Sequence, residues 1–169
     1  MHEGSASKPL RVCFVCTGNT CRSPMAAAVA NSFSEGWGEN SSEVSKKLQP
    51  HVIATSRGLY AEEGAPISEN AVLVLEECGF RPCPDADYRK HRARTIDEED
   101  ARTNDLLVAV TWRHANELLM RFPFAASKII CMPDDVTDPW GGDLSFYHRC
   151  LADIVKGVVK LFLLKGETK

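Results

Sequence analysis

Short apolar runs alternate along the chain with longer segments in which apolar residues recur every three to four positions. The runs predict four strands of a parallel sheet buried on both faces: Leu10–Val15, Val52–Thr55, Leu106–Val110 and Lys128–Cys131. The segments between and after them predict helices over Pro24–Ser34, Ser68–Cys78, Asp97–Ala101, Arg113–Phe122 and Leu144–Leu164. This alternation predicts an α/β fold of three αβα layers, in which a central four-stranded parallel sheet is doubly wound by helices on both faces.

The length of the chain fits a single domain. Its 169 residues, 44% of them hydrophobic, can bury one sizeable core. We expect a disordered N-terminal tail over residues 1–9, which is mostly small and polar, and one domain over residues 10–169. Gly36–Pro50 is rich in Gly, Ser, Asn and Lys and is predicted to be a surface loop.

Composition narrows the setting in which the protein works. The net charge of −3 gives no basic footprint for nucleic acid, and no apolar run has the length of a membrane span or a signal peptide. The seven cysteines are odd in number and irregularly spaced, which favours a reducing compartment over a disulfide framework. Cysteines and histidines do not cluster at ligand spacings. We therefore expect a cytoplasmic monomer with no metal, no cofactor, no nucleic-acid partner and no membrane partner.

The first predicted strand runs into a short polar loop, Cys16–Arg22. Within it, Gly18 and Asn19 tolerate positive φ, which allows the chain to turn tightly. Ser23 is a candidate N-cap, and Pro24 a candidate first residue of the following helix. A loop that wraps ahead of a helix N-terminus points several backbone N–H groups inward and makes a cradle for an oxyanion.

The side chains of this loop suit chemistry at phosphorus. The guanidinium fork of Arg22 can hold two phosphate oxygens at once. The same positive field favours the thiolate of Cys16, which is the nucleophilic form and can attack the phosphorus of a bound ester or phosphoramidate. The candidate phosphate ligands are residues of the loop itself: Thr17, Gly18, Asn19, Thr20, Cys21 and Arg22.

The run that begins at Cys16, Cys-Thr-Gly-Asn-Thr-Cys-Arg-Ser-Pro-Met-Ala, resembles the Cys-x5-Arg-Ser signature of the low-molecular-weight protein-tyrosine-phosphatase family. Met132–Gly142 resembles the Asp-Pro-aromatic loop of the same family, and the resemblance covers residues 10–164. It implies a phosphatase in which Cys16 forms a phosphocysteine, Arg22 clamps the phosphoryl group, and Asp138 acts as general acid and then as general base. The bare sequence leaves two other carboxylates of that loop as alternatives for the acid, Asp134 and Asp135.

Other matches to the family lie between these two motifs. Thr55–Gly58 stands at the place of a Ser-Ala-Gly or Ser-Gly-Ala turn, from which it departs by Arg57. The resemblance implies that four residues support the phosphate loop, one of them through a hydrogen bond between Ser56 and Asn19: Ser23, Asn19, Ser56 and His91. An ordinary surface position is the alternative for His91, and also for His114 in a later helix.

Three residues bear on the substrate. Tyrosine-directed members of the family tend to carry Ile or Leu at the position of Thr20, whereas the arginine-phosphatase branch, which this loop resembles, carries Thr. Trp140 replaces a more usual Phe or Tyr and would line the mouth of the pocket. Tyr60 is a candidate for the other pocket wall, or alternatively a half-exposed surface residue. The implied substrates are proteins or peptides phosphorylated on tyrosine or arginine.

Cys21 lies five positions after Cys16 in the same loop. In the family, the second cysteine of the loop can form a reversible disulfide with the nucleophile, which protects the thiolate from irreversible oxidation. Packing as a small apolar residue under the loop is the alternative for Cys21. Cys13 and Cys150 are predicted to be core residues.

Two other functions remain as alternatives to the phosphatase. A thioredoxin-coupled arsenate reductase shares the loop and the fold, but it needs a further cysteine close after the strand Leu106–Val110. The sequence there is Thr-Trp-Arg. A non-catalytic phosphoprotein-binding module should have lost Cys16, Arg22 or Asp138, and all three are present.

Overall fold

Four parallel strands form the centre of the molecule. The computed structural model describes residues 8–36 and 51–163, so most of the predicted tail 1–9, the predicted loop Gly36–Pro50 beyond its first residue, and the last residues of the chain lie outside the described residues. The strands are β1 (Leu10–Cys16), β2 (Val52–Gly58), β3 (Leu106–Ala109) and β4 (Ile129–Cys131), in the order β2-β1-β3-β4. All three pairings are parallel, which confirms the predicted sheet.

Helices cover both faces of this sheet. They are α1 (Arg22–Ser34), α2 (Glu69–Glu77), α3 (Glu98–Thr103), α4 (Trp112–Arg121) and α5 (Leu144–Leu163), with 3₁₀ turns at Tyr88–Lys90 and Pro123–Lys128. One core contains buried residues of α1, α2 and α5, and the other contains buried residues of α3 and α4. The predicted doubly wound α/β fold is therefore confirmed. Within the two described stretches, none of the helices combines the length and the apolarity that a membrane crossing needs.

Side chains of β1 alternate between the two cores. Phe14 is fully buried in the core under α1, and its neighbour Cys13 is fully buried in the core under α4. Cys150 of α5 is buried in the first of these cores. The predicted core positions of Cys13 and Cys150 are confirmed, and both belong to the scaffold rather than to the loop after β1.

The second strand is longer than its hydrophobic pattern predicts. It continues three residues beyond Thr55, because Ser56, Arg57 and Gly58 pair with the last residues of β1. Ser56 is polar yet buried, so the strand pattern in the sequence breaks off before the strand itself does. This extension carries the end of β2 to the level of the loop that follows Cys16.

The first helix begins earlier than predicted. It starts at Arg22 rather than Pro24, and the predicted cap Ser23 lies inside its first turn. The residue before the helix is Cys21, which forms no side-chain cap. Pro24 is tolerated there because the first N–H groups of a helix have no intrahelical acceptor. The Ser23 hydroxyl is thereby free of a capping role and turns toward the loop.

Candidate active site

Cys16 is the last residue of β1, at the carboxyl edge of the sheet, where sites of such folds lie. The chain after β2 fixes the start of the following loop. Backbone N–H groups of Leu59 and Tyr60 donate to the carbonyl oxygens of Cys16 and Thr17 at 2.8 and 3.0 Å. Gly58 comes so close that a Cβ added to it would lie 2.6 Å from the Thr17 carbonyl oxygen. Any larger residue at position 58 would therefore displace the loop.

Asn19 holds the loop in shape from its centre. It is fully buried and has φ 59°, in the left-handed region that Asn tolerates. Its side-chain amide donates to Ser23 Oγ at 2.9 Å and to Ser56 Oγ at 3.0 Å, and its Oδ1 accepts from Arg94 N at 2.9 Å. His91 Nε2 lies 2.7 Å from its carbonyl oxygen. The expected contacts of Ser56 and His91 with the loop are therefore present.

The sulfur of Cys16 lies under this network. It is 2.9 Å from Ser23 Oγ and accepts from Asn19 N at 3.3 Å. Burial raises the pKa of the Cys16 thiol, while the contacts with Ser23, the charge of Arg22 and the Asn19 N–H lower it. The net direction is upward, contrary to the expectation that the loop favours the thiolate, because the cost of burying the charged sulfur outweighs these groups.

Among the groups that lower the pKa of Cys16, Ser23 has the largest effect, and a substitution can remove its hydroxyl. We expect Ser23→Ala to raise the pKa of Cys16 further, because the substitution removes a hydrogen bond to the charged sulfur. The Cys16 thiolate would then form only at higher pH. The measurement is the rate of alkylation of Cys16 by iodoacetamide against pH, read by peptide mass spectrometry.

Ser56→Ala is the matched control for this measurement. Ser56 accepts from the same Asn19 amide as Ser23 but has no contact with the sulfur. Its removal should loosen the loop equally and leave the alkylation profile of Cys16 close to that of the wild type. Equal profiles for Ser23→Ala and the wild type would show that Ser23 does not stabilise the thiolate.

Arg22 and Asp138 face each other across the loop. Arg22 is buried, and its Nη1 donates to the carbonyl oxygen of Val136 at 3.1 Å. Its Nη2 lies 3.5 Å from Asp138 Oδ2, and the Asp138 side chain is 54% exposed. The other oxygen of Asp138 accepts from Trp140 N at 3.1 Å, which turns the Asp-Pro-Trp segment tightly. The carboxylate is thus fixed at the rim with one oxygen toward the guanidinium.

These groups line one cleft of about 230 Å³. Its walls are the residues of the loop together with the two residues of the Asp-Pro-Trp segment: Cys16, Thr17, Gly18, Asn19, Thr20, Cys21, Arg22, Asp138 and Trp140. Trp140 is 76% exposed at the mouth. Tyr60, predicted as the opposite wall, does not line this cleft; its ring packs against the guanidinium of Arg121 at 4.6 Å in an adjoining groove.

The rival carboxylates have other partners. Asp134 Oδ2 lies 3.3 Å from Lys160 Nζ, and Asp135 Oδ1 accepts from the backbone N–H of Trp112 at 2.9 Å. Neither residue lines the cleft. Of the three acids in this segment, Asp138 is therefore the one that lies beside Arg22 and can reach a bound phosphate.

His114 has a contact that the sequence does not reveal. It is buried at the start of α4, with Nε2 2.8 Å from Thr17 Oγ1 and Nδ1 2.6 Å from Thr111 Oγ1. Burial, followed by the charge of Arg22, lowers the pKa of His114 to about 4, so the ring is neutral at physiological pH. The only signal in the sequence is Thr111, which caps α4 and faces the histidine three residues later. The surface alternative for His114 is wrong.

Cys21 lines the cleft, and its sulfur contacts the last helix. Its sulfur lies 3.3 Å from the hydroxyl of Tyr147, which also accepts from Ser68 Oγ at 3.0 Å. Burial raises the pKa of Tyr147 to about 12, so its hydroxyl keeps its proton. Cys16 and Cys21 are both thiols in this structure, and the disulfide between them stays a prediction. No group of three metal-ligating side chains comes together among residues 8–36 and 51–163.

Known proteins are similar to this chain in sequence and in fold. A protein-arginine-phosphatase of Geobacillus stearothermophilus is 33% identical over 168 residues, which cover 95% of this chain and 99% of that protein. The crystal structure of a low-molecular-weight protein tyrosine phosphatase from T. tengcongensis is 35% identical, with a TM-score of 0.74 over 90% of this chain and 97% of that one.

A third relative has been solved with a phosphorylated active-site residue. A mutant of the YwlE arginine phosphatase, solved with a phosphorylated active-site serine, is 25% identical, with a TM-score of 0.76 over 95% of this chain and 98% of that one. The model of the low-molecular-weight phosphotyrosine protein phosphatase family matches residues 11–168. On this match, which spans nearly the whole chain, the protein belongs to the low-molecular-weight phosphotyrosine protein phosphatase family.

Proposed function

We propose that this protein phosphatase removes phosphate from arginine side chains of proteins through a phosphocysteine on Cys16. The observation that carries the mechanism is that a buried thiol, a buried arginine and a rim carboxylate line one cleft of about 230 Å³. Cysteine-based catalysis is further supported by the phosphorylated active-site serine of the related arginine phosphatase mutant.

The reaction proceeds in two displacements. In the first, the Cys16 sulfur attacks phosphorus as the bond from phosphorus to the leaving nitrogen or oxygen breaks, and Asp138 gives that atom its proton. In the second, Asp138 takes a proton from water, whose oxygen attacks phosphorus and expels the Cys16 thiolate. Arg22 and the loop amides hold the three equatorial oxygens in both steps, and such preorganised donors usually supply the largest share of catalysis.

Thr20 supports phosphoarginine as the substrate. It lines the cleft between the loop amides and is part-buried, with its hydroxyl 3.7 Å from the Cys21 sulfur. A hydroxyl beside the phosphoryl group can orient the polar guanidinium of phosphoarginine, or the water that attacks in the second step. The relative that is 33% identical over 95% of the chain is a protein-arginine-phosphatase.

Phosphotyrosine is the second candidate substrate, and Trp140 is the observation that favours it. The indole is 76% exposed at the mouth of the cleft, where it could stack on a flat phenyl ring. The T. tengcongensis structure, at 35% identity, is that of a tyrosine phosphatase.

We expect Thr20→Ile to reverse the preference between a phosphoarginine peptide and a phosphotyrosine peptide of the same sequence. The ratio of their kcat/KM values should move by about tenfold or more toward phosphotyrosine, because the substitution replaces a hydrogen-bonding wall by an apolar one. The measurement is phosphate release from both peptides.

Thr20→Val and Thr20→Ser separate the two effects of that change. Thr20→Val keeps the shape and loses the hydroxyl, whereas Thr20→Ser keeps the hydroxyl. Loss of phosphoarginine activity in Thr20→Val, with retention in Thr20→Ser, assigns the preference to the hydroxyl. A wild type that prefers phosphotyrosine, with no change in Thr20→Ile, would contradict the choice of phosphoarginine.

The same proposal includes the setting of the enzyme. Its substrates are phosphorylated proteins, and its thiol nucleophile needs a reducing compartment, for which we propose the cytoplasm. We also propose that residues 10–169 act as one domain, whose catalytic groups line one cleft, and that the protein is a monomer. The positive charge that faces a bound phosphate comes from Arg22, and the loop amides add N–H donors.

A further inference from the structure

A groove continues from the catalytic cleft along the first turns of α4. Its volume is about 590 Å³, and we call it the flank groove. It is lined by one residue of the segment after β2 and by residues of α4: Tyr60, Trp112, Arg113, Glu117, Met120 and Arg121. A hollow of about 290 Å³ joins the two, since it shares Thr17 and Arg22 with the cleft and Tyr60, Arg113 and Glu117 with the flank groove. A chain leaving the phosphate site can therefore follow one continuous path.

The flank groove has the composition of a binding surface. Tyr60 is 66%, Trp112 57% and Met120 81% exposed, although all three are large and apolar. Trp, Tyr, Met and Arg are the residue types enriched in protein interfaces, and grouped exposed apolar residues mark such surfaces. The catalytic role assigned to Cys16, Arg22 and Asp138 does not account for any of these side chains.

The charges of the groove leave one cation unmatched. Arg121 and Glu117 pair with each other, and Arg121 also donates to the Leu59 carbonyl oxygen at 2.9 Å while packing on the Tyr60 ring. Asp135 approaches the start of α4 through the Trp112 N–H. Arg113 is exposed and forms no ion pair with any residue of the described ranges. Its guanidinium is therefore available to a ligand at the joint between hollow and groove.

The position of Arg113 sets its distance from the phosphate along a bound chain. The next residue, His114, lies 2.8 Å from Thr17 in the phosphate loop, so the start of α4 abuts that loop. An extended peptide advances about 3.3 Å per residue. A side chain that meets Arg113 therefore belongs to one of the first few residues beside the phosphorylated one.

We propose that the flank groove binds the segment of the substrate protein next to its phosphorylated residue, and that Arg113 pairs with a carboxylate of that segment. The proposal rests on the proposed phosphatase function and adds a sequence preference to it. Charge complementarity selects an acidic segment, and continuity with the cleft selects the substrate rather than a separate partner.

Three phosphopeptides test this preference, with three alanines on both sides of the phosphorylated residue, three glutamates before it, or three glutamates after it. The quantity measured is the ratio of kcat/KM for each acidic peptide to that for the alanine peptide, in which any effect on the chemical step cancels. We expect one acidic peptide to be favoured by about three- to fivefold in the wild type, the range of an exposed ion pair. Arg113→Ala should bring the ratio to one, and Arg113→Glu should invert it.

Arg81→Glu is the matched control for charge. Arg81 is exposed, and its backbone carbonyl contacts Ser32 at the far end of α1 from the phosphate loop. The control should keep the wild-type ratio, and about 0.5 M salt should reduce that ratio, because salt at this concentration screens exposed charges strongly. An acidic preference that survives in Arg113→Glu, or equal rates for all three peptides, overturns the groove proposal and leaves the phosphatase intact. Failure of the wild type to hydrolyse any peptide overturns both.

Discussion

Cys16→Ser should abolish turnover, with a fall in kcat of about 10⁵-fold or more, as for loss of a catalytic nucleophile in other hydrolases. A serine hydroxyl is a far weaker nucleophile than a thiolate, and the serine oxygen is a poorer leaving group than a thiolate when water attacks phosphorus in the second displacement. The neighbours of the sulfur, Ser23 Oγ and Asn19 N, would remain to hold an oxygen at this place. We therefore expect the loop to keep its affinity for inorganic phosphate.

Mass spectrometry after incubation with substrate adds a second readout. If the hydroxyl reacts at all, phosphate should accumulate on the substituted position, as it does on the active-site serine of the related arginine phosphatase mutant. The control is Cys83→Ser, since Cys83 is also a buried thiol but lies in the turn after α2 and does not line the cleft. Cys83→Ser should retain turnover. Near-normal turnover in Cys16→Ser would refute a phosphocysteine intermediate.

The fold could be predicted from the sequence where burial alone decides the structure. β1 is buried on both faces from Val12 onward, and its continuous apolar run shows this directly. The last part of β2 has no such run, because Ser56 and Arg57 are polar. Ser56 can be buried there only because Asn19 donates to its hydroxyl, and that partner stands 37 residues away in the sequence. A hydrophobic pattern contains no information about such a partner.

The candidate site divides in the same way. Cys16 and Arg22 stand six positions apart in one motif, and the residue type of each indicates its chemistry. The sequence alone does not single out Asp138 as the acid. The structure does so, because Asp134 and Asp135 have other partners.

Other contacts arise from how the elements pack. The contact of His114 with Thr17 joins α4 to the loop, and that of Tyr147 with Cys21 joins α5 to it. The sequence places these partners 97 and 126 residues apart. The early start of α1 has a local cause. Ser23 lies in the first turn of the helix and contacts the Cys16 sulfur instead of capping the helix.

Asp138→Asn should slow the release of poor leaving groups by about 10²- to 10³-fold, the usual contribution of a general acid, and should affect good leaving groups far less. The amide has nearly the shape of the carboxylate, so its oxygen can still accept from Trp140 N and keep the turn of the loop. It has no proton acidic enough to give to a leaving nitrogen or phenolate. The measurement is kcat/KM across aryl phosphates from para-nitrophenyl phosphate to phenyl phosphate, followed by the phosphoarginine peptide.

Two controls isolate proton transfer from the electrostatics of the rim. Asp134→Asn and Asp135→Asn remove carboxylates of the same segment whose partners are Lys160 and the Trp112 N–H, and they should leave the dependence on the leaving group unchanged. Asp138→Asn also removes the charge that lies 3.5 Å from Arg22, which would alter phosphate binding equally for every substrate. Only a loss that grows with the basicity of the leaving group identifies the acid. A uniform loss across the series would leave Asp138 as a partner of Arg22 and return the role of acid to another group.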